Sequence, residues 1–187
     1  MKKSISKSLI MAPMPVLIIA TYDERGIPNS MNAAWGMQCD WDAITISLAH
    51  HKTTENLKIK KAFTVAFATK ETVVQSDYFG VETGERVSKI ERVGFHVEKS
   101  QHVDAPVIQE YPLTLECEVI ELADDEGDYR LRGRVVNVLA DESVLNEKGQ
   151  VDFEKLHLIS YDSSLKVYRE VGSVVGRAFH DGLQYKK

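Results

Sequence analysis

The chain has 187 residues, of which 43% are apolar and 27% charged, and it carries a net charge of -5 at neutral pH. That length supports one domain, spanning 1–187, with a full hydrophobic core, and the ordinary apolar and charged fractions exclude a disordered chain or one embedded in lipid. Charges of both signs are scattered, which excludes an extended nucleic-acid surface; the one basic cluster, Lys58, Lys60 and Lys61, reads as a solvated helix face.

At the N-terminus, Lys2 and Lys3 precede an apolar run from Leu9 to Ala20 that imitates a signal peptide. Pro13 and Pro15 interrupt that run, no small-x-small cleavage pattern follows, and about 20 apolar residues are needed to cross a bilayer, so no membrane segment is expected. Residues 15–21 instead read as a buried first strand, rich in branched apolar side chains and halted by the turn signal Asp23-Glu24-Arg25-Gly26. Residues 28–35 follow with small and amide side chains in an extended context, the pattern of a strand that lines something.

Residues 43–48 alternate Ile44, Ile46 and Leu48 against Thr45 and Ser47, the two-residue period of a half-buried strand. Thr53 and Thr54 have hydroxyls suited to a helix N-cap and precede helix formers, which predicts a short helix starting near Thr53 or Thr54. Residues 63–68 read as a strand, and 71–80 as a helix that ends at Gly80 in a left-handed cap. Residues 113–122 and 129–140 predict an antiparallel hairpin around the loop 123–128, with Leu115, Cys117, Val119 and Leu131 inside and Glu116, Glu118, Arg130 and Arg132 on a wet face. The tail supplies short elements around 158–161, 167–168 and 174–175.

Cys39 and Cys117 are far apart and form no Cys-x-x-Cys pair, so two reduced core cysteines and a cytoplasmic location are expected. His50 and His51 are adjacent, which on a strand sends them to opposite faces; a loop or anion-site histidine is the better reading than a metal ligand. Many short strands, few helices and no Gly-x-Gly-x-x-Gly after a strand predict a mainly β, Greek-key-like antiparallel barrel, closed or partly closed, and exclude a Rossmann crevice.

The stretch 28–35, then Ser47, then Lys52-Thr53-Thr54-Glu55-Asn56 resembles the cofactor side of the flavin reductase family with its FMN-binding split barrel. Residues 80–89, the Gly127-to-Gly133 hairpin followed by Arg134, and the late Tyr161 extend the resemblance, toward the flavoredoxin-like branch, over about residues 12–178. The resemblance implies FMN as cofactor, with Thr53 and Lys89 on its phosphate or ribityl chain. It places Asn29, Met31, Asn32, Ala33 and Trp35 along the flavin, and adds Ser47, Lys52, Thr54, Asn56 and Tyr161 to the cofactor-binding set. Taken alone, Thr53 and Thr54 read as capping residues and Trp35 as core. Tyr129 stands where relatives often carry His; tyrosine stays neutral near pH 7 and cannot replace a histidine proton switch.

The activity implied is transfer of electrons from NAD(P)H to flavin, or through bound FMN to an acceptor, with no nucleophile or acid–base dyad required of the chain. Implied partners are a second copy in a homodimer and a redox protein or monooxygenase. Two alternatives stand beside it: a flavoredoxin-type FMN electron carrier that does not use NAD(P)H efficiently, and a split-barrel module without flavin, binding haem or acting only in interactions.

Overall fold

The computed structural model describes residues 1–5 and 10–186, so Leu9, which opens the apolar N-terminal run, lies outside the described residues. The expected first strand is divided at Val16 into β1 (Met14–Pro15) and β2 (Leu17–Tyr22). It is followed by β3 (Pro28–Ala33), β4 (Gly36–Gln38), β5 (Ala43–Leu48), helix α1 (Lys52–Lys60) and β6 (Ala62–Phe67). Helices α2 (Val73–Val81) and α3 (Lys89–Arg92) precede a small ribbon of β7 (Val97–Lys99) and β8 (Pro106–Ile108). The long hairpin is β9 (Leu113–Asp125) and β10 (Asp128–Ala140), and the chain ends through α4 (Phe153–Leu156), β11 (Ile159–Asp162), β12 (Val167–Glu170) and an extended arm.

Seven strands form one antiparallel sheet in the order β3-β2-β6-β9-β10-β5-β4, curled into a half-barrel, while β1, β11 and β12 form a second sheet. The hairpin turn needs only Glu126 and Gly127, both with positive φ, the backbone signature of a type I′ turn. Two register shifts along β9 and β10 bend the ribbon, and at one of them a Cβ on Gly133 would meet Phe63 Cζ at 2.4 Å.

β2 separates two apolar clusters by its period of two. Leu17 and Ile19 face the barrel interior with Ile46, Leu57, Phe63, Val65, Cys117 and Leu131; Ile18 and Ala20 face the other way, against Phe79, Ile90, Ile108, Tyr111 and Ile159. Burial on both faces explains the unbroken apolar run read from the sequence.

Four expectations need correction. Glu116 does not lie on a wet face but is buried beneath the loop between β7 and β8, where its Oε2 accepts from His102 Nδ1 at 2.8 Å and from Asn137 Nδ2. Burial raises a carboxyl pKa, yet the hydrogen bonds from Ser100, Asn137 and His102 outweigh it and hold Glu116 below its ordinary value. α2 runs one residue past Gly80 and closes without a left-handed cap; Gly80 provides space instead, since a Cβ there would stand 3.3 Å from Asn32 Cβ. Cys39 is exposed rather than core, whereas burial pushes the Cys117 thiol up to about 12. Finally, α1 starts near the expected threonines, at Lys52, but its N-cap is His51 rather than either hydroxyl residue. No helix among the described residues is long and apolar enough to cross a membrane.

Candidate functional site

A groove runs between β3, the start of α1, α2 and the β11–β12 turn. Its closed end has a volume of about 60 Å³ and its wide end about 370 Å³; Asn32 and Gly80 line both and join them.

The closed end is built on the first turn of α1, whose leading N–H groups have no intrahelical acceptor. His51 N–H donates to Thr54 Oγ1 at 3.0 Å and Thr54 Oγ1 donates to His51 O at 2.7 Å, so the Thr54 hydroxyl is committed to capping. Thr53, one position earlier, turns into the groove, and its Oγ1 accepts from Asn29 Nδ2 at 2.7 Å. Two lysines reach the same place. Lys52 Nζ donates to Gly84 O at 3.3 Å and lies 3.7 Å from Asp23 Oδ2, while Lys89 Nζ donates to Phe79 O at 2.8 Å.

Lys89 is only 6% exposed, an unusual position for an ammonium group. Burial lowers its pKa to about 8 against the opposing pull of Glu82. Among the described residues its Nζ has one hydrogen-bond partner, leaving two N–H donors for an anion. Gly84 keeps this end open, because a Cβ there would fall 1.8 Å from Asn29 Oδ1.

The wide end is floored by Asn32, Ala33 and Gly80 and walled by Tyr161 and Tyr168, whose ring centroids are 5.9 Å apart. Tyr168 Oη donates to Asp77 Oδ1 at 2.7 Å, joining β12 to α2 across the groove. Burial raises the Tyr168 pKa, and the Asp77 bond raises it further, so this phenol stays protonated as a donor. Asn32 is held by its Nδ2 bond to Ser76 O at 2.9 Å.

Of the residues singled out in the sequence, Asn29, Met31, Asn32, Ala33, His51, Lys52, Thr53, Gly80, Lys89 and Tyr161 line this groove. The others lie elsewhere. Thr54 caps α1; Asn56 ties that helix to β2 through Nδ2 and Thr21 Oγ1 at 3.0 Å; Ser47 N–H donates to Trp35 O at 2.8 Å. Trp35 is 65% exposed, beyond the end of β3 and outside both pockets. Tyr129 packs edge-on against His50 at 4.5 Å beneath Lys58, in agreement with a hairpin aromatic.

Asp77, Gly84, Lys166 and Tyr168 line the groove and were not individually read as site residues from the sequence. The glycine had a local signal, its place between Gly80 and Lys89. Asp77 and Tyr168 had none, because their contact spans 91 positions of chain.

Residues 11–165 match the family described as the flavin reductase like domain, and the chain belongs to that family. The chain is similar to the flavoredoxin of Desulfovibrio vulgaris (Miyazaki F), at 30% identity and a TM-score of 0.92, with 97% of this chain and all of the other covered. It is similar also to flavoredoxin from Methanosarcina acetivorans, at 26% identity, TM-score 0.90 and 98% coverage of each chain. An uncharacterized protein of Aquifex aeolicus is 24% identical over 178 residues, which are 91% of this chain and 85% of that protein. The expected mainly β split-barrel fold is therefore the fold of this protein.

Proposed function

We propose that the groove binds FMN and that the chain moves electrons through it. The observation that carries this reading is the convergence of Lys52, Lys89, Thr53 and a helix start at the narrow end of a groove whose wide end has tyrosine walls. The donor set fits the group. Two ammonium groups and a helix N-terminus suit a phosphate, a volume of about 370 Å³ suits a fused ring, and Gly84 leaves room where a Cβ would obstruct. Asn29 and Thr53 would hold the ribityl side of the phosphate end; Asn32, Tyr161 and Tyr168 would orient the ring.

When bound, FMN supplies hydride acceptance and one-electron chemistry. The chain supplies alignment. The Tyr168–Asp77 bond fixes one wall, Tyr161 excludes water from that side, and Lys89 keeps charge at the phosphate end. The electron source in this reading is NAD(P)H, and the acceptor is free flavin, a redox protein or a monooxygenase. A carrier that uses NAD(P)H poorly is the second reading, favoured by the likeness to two flavoredoxins.

A homodimer accompanies either reading. The mouth of the half-barrel opens as an apolar hollow of about 470 Å³ beside Met37 and Trp41, and Trp41 is 97% exposed. A second copy would cover that surface and the edge strands β3 and β4. FMN titration followed by anaerobic mixing with NADH or NADPH tests the functional reading. Saturable binding with prompt bleaching of flavin absorbance supports the reductase, binding without bleaching supports the carrier, and no binding overturns both.

A further inference from the structure

Beyond Glu170 the chain leaves the body as an arm whose apolar side chains touch little of their own molecule. Val174 is 79% exposed, Leu183 53%, Tyr185 85%, and Val175 and Phe179 are fully exposed. One side-chain hydrogen bond holds the arm to the body among the described residues, from Val174 N–H to Glu154 Oε1 at 3.2 Å. The arm is nonetheless shaped. Asp181 Oδ2 accepts from Arg177 N–H at 2.8 Å, Arg177 Nε lies 3.5 Å from Asp181 Oδ1, and a 3-10 turn covers Asp181–Tyr185. This local knob places Phe179 at its crest with a positive φ, a conformation that bulky residues seldom adopt without a surrounding contact.

A formed knob that presents a bare phenylalanine is half of an interface. The same chain carries an apolar hollow at the barrel mouth, with Leu17, Ile46, Val65 and Leu115 at its floor and the exposed Met37 and Trp41 at its rim. The arm of the same molecule does not line that hollow.

We propose that the C-terminal arm, residues 171–186, crosses to a second copy and lays its apolar side chains into the mouth of that copy's half-barrel. This rests on the homodimer reading and deepens it, by naming the segment that completes the interface. Reach permits it: with residues 171–179 extended at about 3.3 Å each, Phe179 can stand up to about 30 Å from the body, enough to enter a copy packed alongside a domain of roughly 40 Å diameter. Area permits it as well. Two-fold symmetry makes each contact twice, so Phe179, Tyr185 and Trp41 of both copies would together cover roughly 900 Å², over half of the about 1,600 Å² of a standard specific interface.

The test uses the full chain with the photo-crosslinking residue benzoylphenylalanine in place of Phe179, prepared as a mixture of light and isotope-heavy protein. Sedimentation of the full chain and of V175D/F179D is measured in parallel, with circular dichroism to verify folding. The expected results are mixed-isotope crosslinks between the arm and the segment 35–46, and a dimer dissociation constant at least tenfold weaker in the folded double variant. A dimer with unchanged affinity in the variant overturns the arm exchange and leaves the dimer standing. A full-length monomer at micromolar concentration overturns both; crosslinks confined to one isotope, after light and heavy chains have been unfolded and refolded together, overturn the arm exchange. Neither failure removes the flavin reading, which FMN titration of the unaltered chain tests on its own.

Discussion

The two ends of the groove are built on opposite plans. At the closed end the side chains are held in place by bonds within the protein, Asn29 to Thr53, Lys52 to Gly84 and Lys89 to Phe79, all at 3.3 Å or less, while donors remain free for an anion. The wide end has six times the volume and is crossed by one long-range bond, Tyr168 to Asp77. The difference teaches a division of labour. Affinity should reside where charges are desolvated and fixed in advance, because little ordering remains to be done when an anion arrives. The wide end has room for a ring and for an electron donor or acceptor, and orientation rather than affinity should reside there.

That contrast is sharpest at Lys89. Lys89→Met removes the buried ammonium group while preserving much of its packing, and FMN affinity should fall about 10- to 100-fold, the loss of a charge-assisted hydrogen bond of about 1.5–3 kcal/mol. Fluorescence titration measures it. A loss of less than threefold would erase the distinction between the ends.

Gly84→Ala should cost about tenfold in FMN affinity, since the new Cβ displaces Asn29 from its bond to Thr53. Unchanged affinity would mean that the closed end is not where the ligand sits.

The pH dependence follows from the same lysine. In the free protein Lys89 loses its proton near pH 8, and a bound phosphate would favour the protonated form, raising that value in the complex. Binding therefore takes up a proton above pH 8, so affinity should be level just below pH 8 and decline above it by up to tenfold per unit. Lys89→Met should abolish the decline. For stability the sign is opposite: with the folded pKa depressed, the neutral lysine's contribution is complete above the unfolded value of about 10.4 and is lost as pH falls through about 8.

Smaller effects belong to the wide end and to the supports behind the groove. Tyr168→Phe should change FMN affinity less than threefold, but should alter the rate at which bound flavin is reduced, read by stopped flow. Asn56→Ala should lower unfolding free energy by about 1 kcal/mol, with FMN affinity unchanged, since Asn56 joins α1 to β2 away from the groove. A large affinity loss in Asn56→Ala would show that the groove depends on helix placement more finely than its own bonds suggest.

What the sequence disclosed follows from how local each signal is. Period-two alternation gave β5 and the apolar half of the hairpin, and an unbroken apolar run gave β2, because one or two buried faces impose their pattern within a few residues. Lys52 and Thr53 were legible for the same reason, since a helix start is a local object. Glu116 defeated the alternation because the covering loop arrives from 14 residues away and the carboxylate is satisfied there. Asp77 and Tyr168 were invisible, as was the true role of Gly80, for each is defined by what packs against it. Trp35 shows the converse. The strand carrying Asn29 to Ala33 was read correctly, but it ends before the tryptophan, and the bend leaves that ring exposed.

The central claim is that a phosphate occupies the closed end, and comparison of riboflavin with FMN tests it most directly. Binding of both flavins is titrated to the unaltered protein and to Lys89→Met at pH 7. The expected result is a strong preference for FMN that shrinks at least tenfold in the variant while riboflavin affinity stays the same. Equal affinity for the two flavins in the unaltered protein, or a preference that survives loss of the lysine, would contradict it.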